Sequence, residues 1–319
     1  MKKIYRNTIF CGNAATELQN LDDNSVDCII TSPPYYNQRD YKEDGQLGSE
    51  RSPEEYVAAL RVVFRECLRA LKPTGSLWLN LGDKYENGRL LGMPWRVAIA
   101  MQDDGWILRS DIIWHKPNAM PSSVKSRPTT DHEYLFLMTK SSDYHYDADA
   151  IREPHVTFSE NSKMKGGRNH FGKAGGTPEQ GKNSGNQNLH HGNWDVAFHP
   201  LGRNKRTVWS IGLGKYRGAH FAVFPEKLVE PCILAGCPPH GIVLDPFMGS
   251  GTVAFVAQKN GRDFLGVELN PEYIELAKNR LNEVQFDLFN APTKSSEKPQ
   301  LTRPTPAQAG VEPGLSGLD

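Results

Sequence analysis

Val243-Leu244-Asp245-Pro246-Phe247-Met248-Gly249-Ser250-Gly251-Thr252 reads as a strand, a tight glycine turn and the first residue of a helix, a geometry that lets backbone approach a nucleotide-like ligand closely. Beyond it, residues 264–268 read as a second strand ending on Glu268, a carboxylate 17 positions after Gly251. That is near the offset of about 20 residues at which an acid meets ribose hydroxyls in dinucleotide folds. A lone G-x-G is a weak signal; the pairing with an acidic strand end is more specific. Asp245 stands where G-x-G-x-x-G has its first glycine. A pyrophosphate would face an anion there, whereas a cationic sulfonium and an amino group would be attracted. The ligand so predicted is S-adenosylmethionine rather than NAD.

Working outward, the chain alternates strand and helix signals. Val26-Asp27-Cys28-Ile29-Ile30-Thr31 is a β-branched apolar run closed by Pro33-Pro34, a buried strand that stops at Ser32. Ser52-Pro53-Glu54-Glu55 supplies an N-cap, a first-turn proline and a capping-box glutamate, followed by Val57, Leu60, Phe64, Cys67, Leu68 and Leu71 as one apolar face. A turn at 72–75, strands at 76–81, 106–114, 133–139 and 242–245, and helices at 94–102, 225–235, 252–259 and 272–282 complete the pattern. The fold class expected is α/β, a Rossmann-like sheet with helices on both faces.

Between 151 and 206 the texture changes to Gly, Asn, His and Lys without apolar period, and a compact domain rarely keeps so long an irregular stretch unless it binds something or is disordered. Net charge over the whole chain is zero, yet residues 151–217 carry eleven Lys and Arg against four Asp and Glu. That asymmetry suits a surface meeting phosphate, with Lys205 and Arg206 as candidate contacts, and equally suits a solvated basic loop. The five cysteines (Cys11, Cys28, Cys67, Cys232, Cys237) form no C-x-x-C pair, so reduced core thiols are expected and no metal site. The start lacks a signal peptide and no run is long enough for a membrane helix, so a cytoplasmic protein with no membrane partner is expected.

D-P-F-x-G-S-G-T (245–252), G-V-E-L-N-P-x-Y (266–273) and T-S-P-P-Y (31–35) resemble motifs I, II and IV of amino-methylating DNA methyltransferases. The motif order, IV before I, is similar to the circularly permuted class called β. Residues 220–228, H-F-A-V-F-P-E-K-L, are similar to motif X. The resemblance covers about 13–282 and implies S-adenosyl-L-methionine as cofactor, held by Asp245, Phe247, Gly249, Gly251, Thr252 and Glu268 with Phe221 and Pro225 from motif X. Where the family often has Asp after glycine near the start, this chain has Asn13, whose carbonyl can still accept from an adenine amino group. The organisation implied is a catalytic half at 1–150, a variable target-recognition region at 151–219, a cofactor half at 220–290 and a disordered tail at 291–319. Double-stranded DNA with a flipped target base is the implied partner, and a cognate restriction endonuclease a candidate second one.

An exocyclic base amine is a poor nucleophile because its lone pair is delocalised into the ring. Acceptors aimed at its two protons pull it towards sp³, and Ser32 with the main-chain carbonyl of Pro33 can supply them from a strand end stiffened by Pro33 and Pro34. Tyr35 follows where an aromatic face can stack on an extruded base. Asn80, Gly82 and Asp83 resemble motif V, and Trp114 to Asn118 could line the base pocket. Cys232 follows a proline as the nucleophile of C5 methyltransferases does, but within a helical stretch, and C5 chemistry is rejected. In the family S-P-P-Y accompanies N4-cytosine methylation more often than N6-adenine. Protein glutamine methylation and a non-catalytic DNA-binding role are the rival expectations.

Overall fold

The computed structural model describes residues 5–40, 43–155, 201–213 and 224–290, with side chains to 282. Its strands are β1 (Thr8–Cys11), β2 (Val26–Thr31), β3 (Leu71–Leu81), β4 (Tyr85–Glu86), β5 (Arg89–Leu90), β6 (Ile107–His115), β7 (His132–Thr139), β8 (Val208–Ser210), β9 (Ile242–Asp245) and β10 (Asp263–Glu268). Its α-helices are α1 (Ala14–Glu17), α2 (Pro53–Ala70), α3 (Met93–Asp103), α4 (Glu226–Gly236), α5 (Thr252–Lys259) and α6 (Pro271–Asn290). Eight strands form one sheet in the order β1-β10-β9-β2-β3-β7-β6-β8. β7 runs antiparallel to both neighbours and every other adjacent pair is parallel. None of the described helices is long and apolar enough to cross a membrane.

The central strands are apolar runs because a parallel sheet is covered on both faces. Ile29, Leu77, Leu244 and Leu265 point to a layer formed by α1, α2 and α3, while Cys28, Ile30, Trp78 and Val243 point to a layer formed by α4, α5 and α6. This is the period of two expected of strands. In α2, Ser52 accepts from the Glu55 N–H at 3.2 Å, and Glu55 accepts from the Arg51 N–H at 3.1 Å. The buried stripe is Tyr56, Leu60, Val63, Phe64, Cys67 and Ala70, rotated from the sequence expectation, which had Val57 and Leu68 in it. Tyr56 takes the leading position because its ring is apolar and its hydroxyl reaches the Pro34 carbonyl at 2.8 Å.

Several elements depart from the sequence reading. β1, unforeseen, adds parallel to β10 at the sheet edge, so the first residues of the chain complete the cofactor side. The expected turn at 72–75 is an excursion within β3: Val26 pairs with Leu71 and Cys28 with Ser76. The β4–β5 hairpin, also unforeseen, turns on Asn87 and Gly88, both at positive φ (49° and 78°), the two-residue Asn-Gly signal of a hairpin. Just beyond the stretch expected to be irregular (151–206), and within 151–219, β8 joins the sheet with Trp209 buried, a strand the sequence expectation lacked. Glu153 bridges antiparallel to Arg203. The expected tail at 291–319 lies outside the described residues.

Asp104 caps α3 and accepts from Arg61 at 2.7 and 2.6 Å and from Arg65 at 3.0 and 2.7 Å, both on α2. These bonds, Arg61 first, hold its carboxyl down at about 2 against the effect of burial. A depressed carboxylate adds stability above its unfolded pKa and loses it as pH falls through the folded value. Asp104→Asn is therefore expected to lower the urea midpoint at pH 7, and the difference from the parent should vanish between about pH 4 and 2.

Candidate functional site

From β9 the chain crosses by α5 to β10, and from β2 by α2 to β3, in opposite directions along the sheet. Their carboxyl ends form the point of reversal where open α/β sheets bind ligands. A cleft of about 290 Å³ opens there, lined by residues from both halves of the chain, among them Ser32, Tyr35, Asn80, Phe247, Gly249 and Glu268.

On the β9 side, Asp245 is 2% exposed. Its Oδ1 accepts from the Thr31 hydroxyl at 2.6 Å and from the Phe247 N–H at 3.0 Å, while its Oδ2 is buried with no partner. Burial pushes the carboxyl up to about 7, the Thr31 and Phe247 bonds oppose it, and the charge of Glu268 adds to the rise. Glu268, also raised by burial, accepts from the Gly249 N–H at 2.7 Å and the Asn270 N–H at 2.8 Å. Gly249 and Gly251 sit at φ 53° and 80°, a region costly for residues with a Cβ. A Cβ on Gly251 would lie 2.9 Å from that of Ala277, so this glycine lets α5 pack on α6. The Ser250 hydroxyl is a second buried polar atom without a partner.

On the β2 side, Pro33 is buried and the Tyr56 bond to Pro34 anchors the loop. Ser32 Oγ donates to Tyr35 Oη at 3.3 Å, and Tyr35 Oη lies 2.8 Å from Glu133 Oε2 and 3.3 Å from Asn80 Oδ1. Asn80 Nδ2 donates to Glu133 at 3.1 Å and to the Tyr134 carbonyl at 3.0 Å. Lys116 pairs with the other oxygen of Glu133, its ammonium 4.4 Å from the centre of the Trp114 ring. Burial, and then the Glu133 charge, hold the Tyr35 phenol well above its usual range. Gly82 leaves room for this ring: a Cβ there would lie 2.6 Å from Tyr35 Cε2.

Of the residues named from sequence, Ser32, Pro33, Pro34, Tyr35, Asn13, Phe247, Gly249, Thr252, Asp245 and Glu268 gather at this one place. All of these but Asp245, buried behind the surface, line the cleft, as do Asn80, Trp114 and Lys116. Pro225 is not a lining residue; it caps α4, and its neighbour Phe224 reaches the cleft. Phe221 lies outside the described residues. The Asn13 side-chain oxygen already caps α1, accepting from the Ala15 N–H at 2.9 Å. The Thr252 hydroxyl accepts from Arg280 at 2.9 Å. Asp83 bonds the N–H groups of Lys84 and Met93 rather than facing the cleft. Cys232 is buried in α4, its thiol bonded to the Leu228 carbonyl. Lys205, expected to meet phosphate, is instead paired with Glu153 at 3.1 Å and lies 4.8 Å from the Trp209 ring centre, which gives its charge a role within the fold. Arg206 is exposed. Sequence reasoning missed Ser250, Asn270, Tyr273 and Glu133; Asn270 and Tyr273 lie within the G-V-E-L-N-P-x-Y stretch, whereas nothing near Glu133 in sequence marks it.

A family model described as DNA methylase, of N6 and N4 methyltransferases, matches residues 26–279. Among curated proteins, the Type II methyltransferase M.Cfr9I of Citrobacter freundii is 42% identical over 303 residues, covering 86% of this chain and 87% of that one. M.SmaI of Serratia marcescens, also a Type II methyltransferase, is 39% identical over 302 residues, with 86% and 90% covered. Among solved structures, PvuII DNA methyltransferase (cytosine-N4-specific) superposes with a TM-score of 0.62 at 20% identity, covering 91% and 95%, a likeness of fold. TTHA0409 of Thermus thermophilus, complexed with S-adenosyl-L-methionine, gives 0.55 at 26% identity, covering 86% and 95%.

The buried Asp245 yields a further expectation for the protein without ligand. A carboxyl whose folded pKa lies above its unfolded value is favourable to folding while protonated and becomes a burden as pH rises. Asp245→Asn should therefore raise the melting temperature relative to the parent above about pH 7. The gain should shrink to nothing by about pH 4; an equal gain at both ends of that range would contradict the titration of this group.

Proposed function

The chain belongs to the DNA methylase family of N6- and N4-amino methyltransferases, which use S-adenosyl-L-methionine, and from that premise we propose that it methylates the exocyclic N4 amine of cytosine in duplex DNA. The observation that carries this reading is the meeting of Ser32 and Asp245 at the ends of adjacent strands, joined by the 2.6 Å bond from Thr31 to Asp245, with Ser32 lining the cleft and Asp245 buried just behind it. N6-adenine is the alternative, since both amines present two N–H donors; the serine of S-P-P-Y favours cytosine. A cognate restriction endonuclease belongs to the same proposal.

The residues on the β9 side fit the cofactor. The unpartnered Asp245 Oδ2 and Ser250 Oγ are buried polar atoms, and Asp245 with Glu268 makes the region anionic, which suits a ligand bearing a sulfonium and an amino group. When bound, that cofactor supplies an activated methyl group. Asp245 and Glu268 attract the positive charge, Gly249 keeps the backbone free of a side chain, and Phe247 and Phe224 provide apolar walls.

The β2 side prepares the amine. Ser32 Oγ donates its proton to Tyr35 and so turns its lone pairs to an incoming N–H, and the Pro33 carbonyl takes the second N–H. Two acceptors fixed in this way draw the lone pair out of the ring without reorganising as the reaction proceeds. The target base leaves the duplex to reach them, and the Tyr35 ring, held by its hydroxyl, offers a face for stacking.

Target recognition falls to 151–219, where the basic excess lies. The exposed Arg206, rather than the paired Lys205, supplies a phosphate contact. Arg206→Gln is expected to weaken DNA binding and to flatten the slope of log K against log salt by about 0.9 for each phosphate that it no longer neutralises. Lys205→Met should leave that slope unchanged and lower thermal stability instead.

The central test is Ser32→Ala. Losing one preorganised partner of the reacting group lowers the rate by roughly a hundred- to a thousandfold. The variant should keep cofactor and DNA affinity within a few fold while its single-turnover methylation slows by that factor. A parent-like rate would remove T-S-P-P-Y from the chemistry. Mass spectrometry of nucleosides from DNA methylated by the parent separates N4-methylcytosine from N6-methyladenine.

A further inference from the structure

We infer that Tyr35 and Glu133 form a proton exit from the reacting amine, with Glu133 as the final acceptor and Lys116 and Asn80 as the groups that position it. The inference rests on the reading of Ser32 as the residue that meets the amine. Gaining a methyl group makes the amine nitrogen cationic, and one proton must leave before the lone pair can return to the ring. Ser32 is near that nitrogen in the proposed reaction, but a serine hydroxyl cannot keep an extra proton at neutral pH.

The hydrogen bonds beyond Ser32 run in one direction. Ser32 Oγ donates to Tyr35 Oη at 3.3 Å, and Tyr35 Oη donates to Glu133 Oε2 at 2.8 Å. As the N–CH₃ bond forms and the sulfonium–methyl bond breaks, the N–H bond breaks too and its electron pair stays on nitrogen. The amine proton passes to Ser32 Oγ, the serine proton to Tyr35 Oη, and the phenol proton to the Glu133 carboxylate. Serine and tyrosine end as neutral as they began, and the only lasting change is a protonated Glu133. The chain needs no phenolate: burial and the neighbouring carboxylate keep the tyrosine protonated, so it can only relay.

The surroundings of Glu133 suit an acceptor rather than a mere prop. The Glu133 and Lys116 side chains are each 16% exposed, so the carboxylate is largely desolvated yet within reach of water for release of the proton. Lys116 binds one oxygen, leaving the other to Tyr35 and Asn80. Asn80 also bonds the Tyr134 carbonyl at 3.0 Å, which fixes its amide so that its NH₂ meets Glu133; its oxygen, 3.3 Å from Tyr35 Oη, is the more distant of the two acceptors for the single phenol proton. Glu133 lies opposite Trp114 in the pairing of β6 with β7, so the acceptor is set by rigid strands and not by a loop.

Three variants test the relay. Tyr35→Phe keeps the ring and removes the relay oxygen; Glu133→Gln keeps the shape and removes the acceptor; Ser32→Ala removes the residue at the amine. General acid–base steps contribute on the order of a hundredfold or more. Tyr35→Phe and Glu133→Gln are each expected to slow single-turnover methylation by about a hundredfold, with cofactor and DNA dissociation constants unchanged. The double variant should be no slower than either single one, because both break the same path. The parent should also react more slowly in D₂O, and Tyr35→Phe should lose that sensitivity, which a purely structural role would not produce. Parent-like rates for either single variant, or losses that multiply in the double variant, overturn the relay. A slow Ser32→Ala beside a fast Tyr35→Phe refutes the relay alone, whereas a fast Ser32→Ala refutes the catalytic loop on which it rests.

Discussion

The 2.6 Å hydrogen bond from Thr31 to Asp245 joins strand ends that are 214 residues apart in the chain. It lies where β2 of the amino-terminal half meets β9 of the carboxy-terminal half within the sheet. A buried carboxylate is expensive unless it is bonded, and Asp245 has only two donors for one oxygen and none for the other. The group sits directly beneath the cleft, behind the lining residues Pro246 and Phe247. The contact thus fixes the spacing between the β9 end, with Asp245, and the β2 end, with Ser32.

The order of motifs along the chain follows from the same contact. A parallel sheet does not record which of two adjacent strands came first, provided each is followed by its own crossover helix. β9, α5 and β10 form one such unit, and β2, α2 and β3 another. Placing the second unit first leaves the sheet unchanged, and β1 then fills the edge beside β10 from the start of the chain. The T-S-P-P-Y stretch can therefore precede D-P-F-x-G-S-G-T without either moving in space.

The polar group formed by Ser32, Tyr35, Asn80, Glu133 and Lys116 is a second consequence of sheet order. Buried polar networks are favourable when every member is satisfied and costly when one is not. Here each side chain finds partners on a different strand or on the strand-end loop, so its geometry is inherited from strand register. At the far edge of the sheet β8 closes on β6, and Glu153 is bridged to Arg203.

The α/β class, the cap of α2, the positions of most helices, the glycine turn after β9 and the proline-stiffened end of β2 were legible in the residues, because each depends on local chemistry: apolar runs, capping groups and positive-φ glycines. The same local logic located Ser32, Asp245 and Glu268 at strand ends. It could not reveal Glu133 and Ser250 as members of one site, nor that Lys116, expected near the pocket, pairs with Glu133, nor that Asn13, Thr252, Asp83 and Lys205 spend their polar atoms inside the fold. Those assignments depend on which strands are neighbours and in what register, and a one-residue slip would turn every side chain of a strand to the other face. Composition and spacing carry no record of that choice. The antiparallel insertion of β7 between β3 and β6, which brings Glu133 to Asn80 and Tyr35, was decided by the packing of the whole sheet.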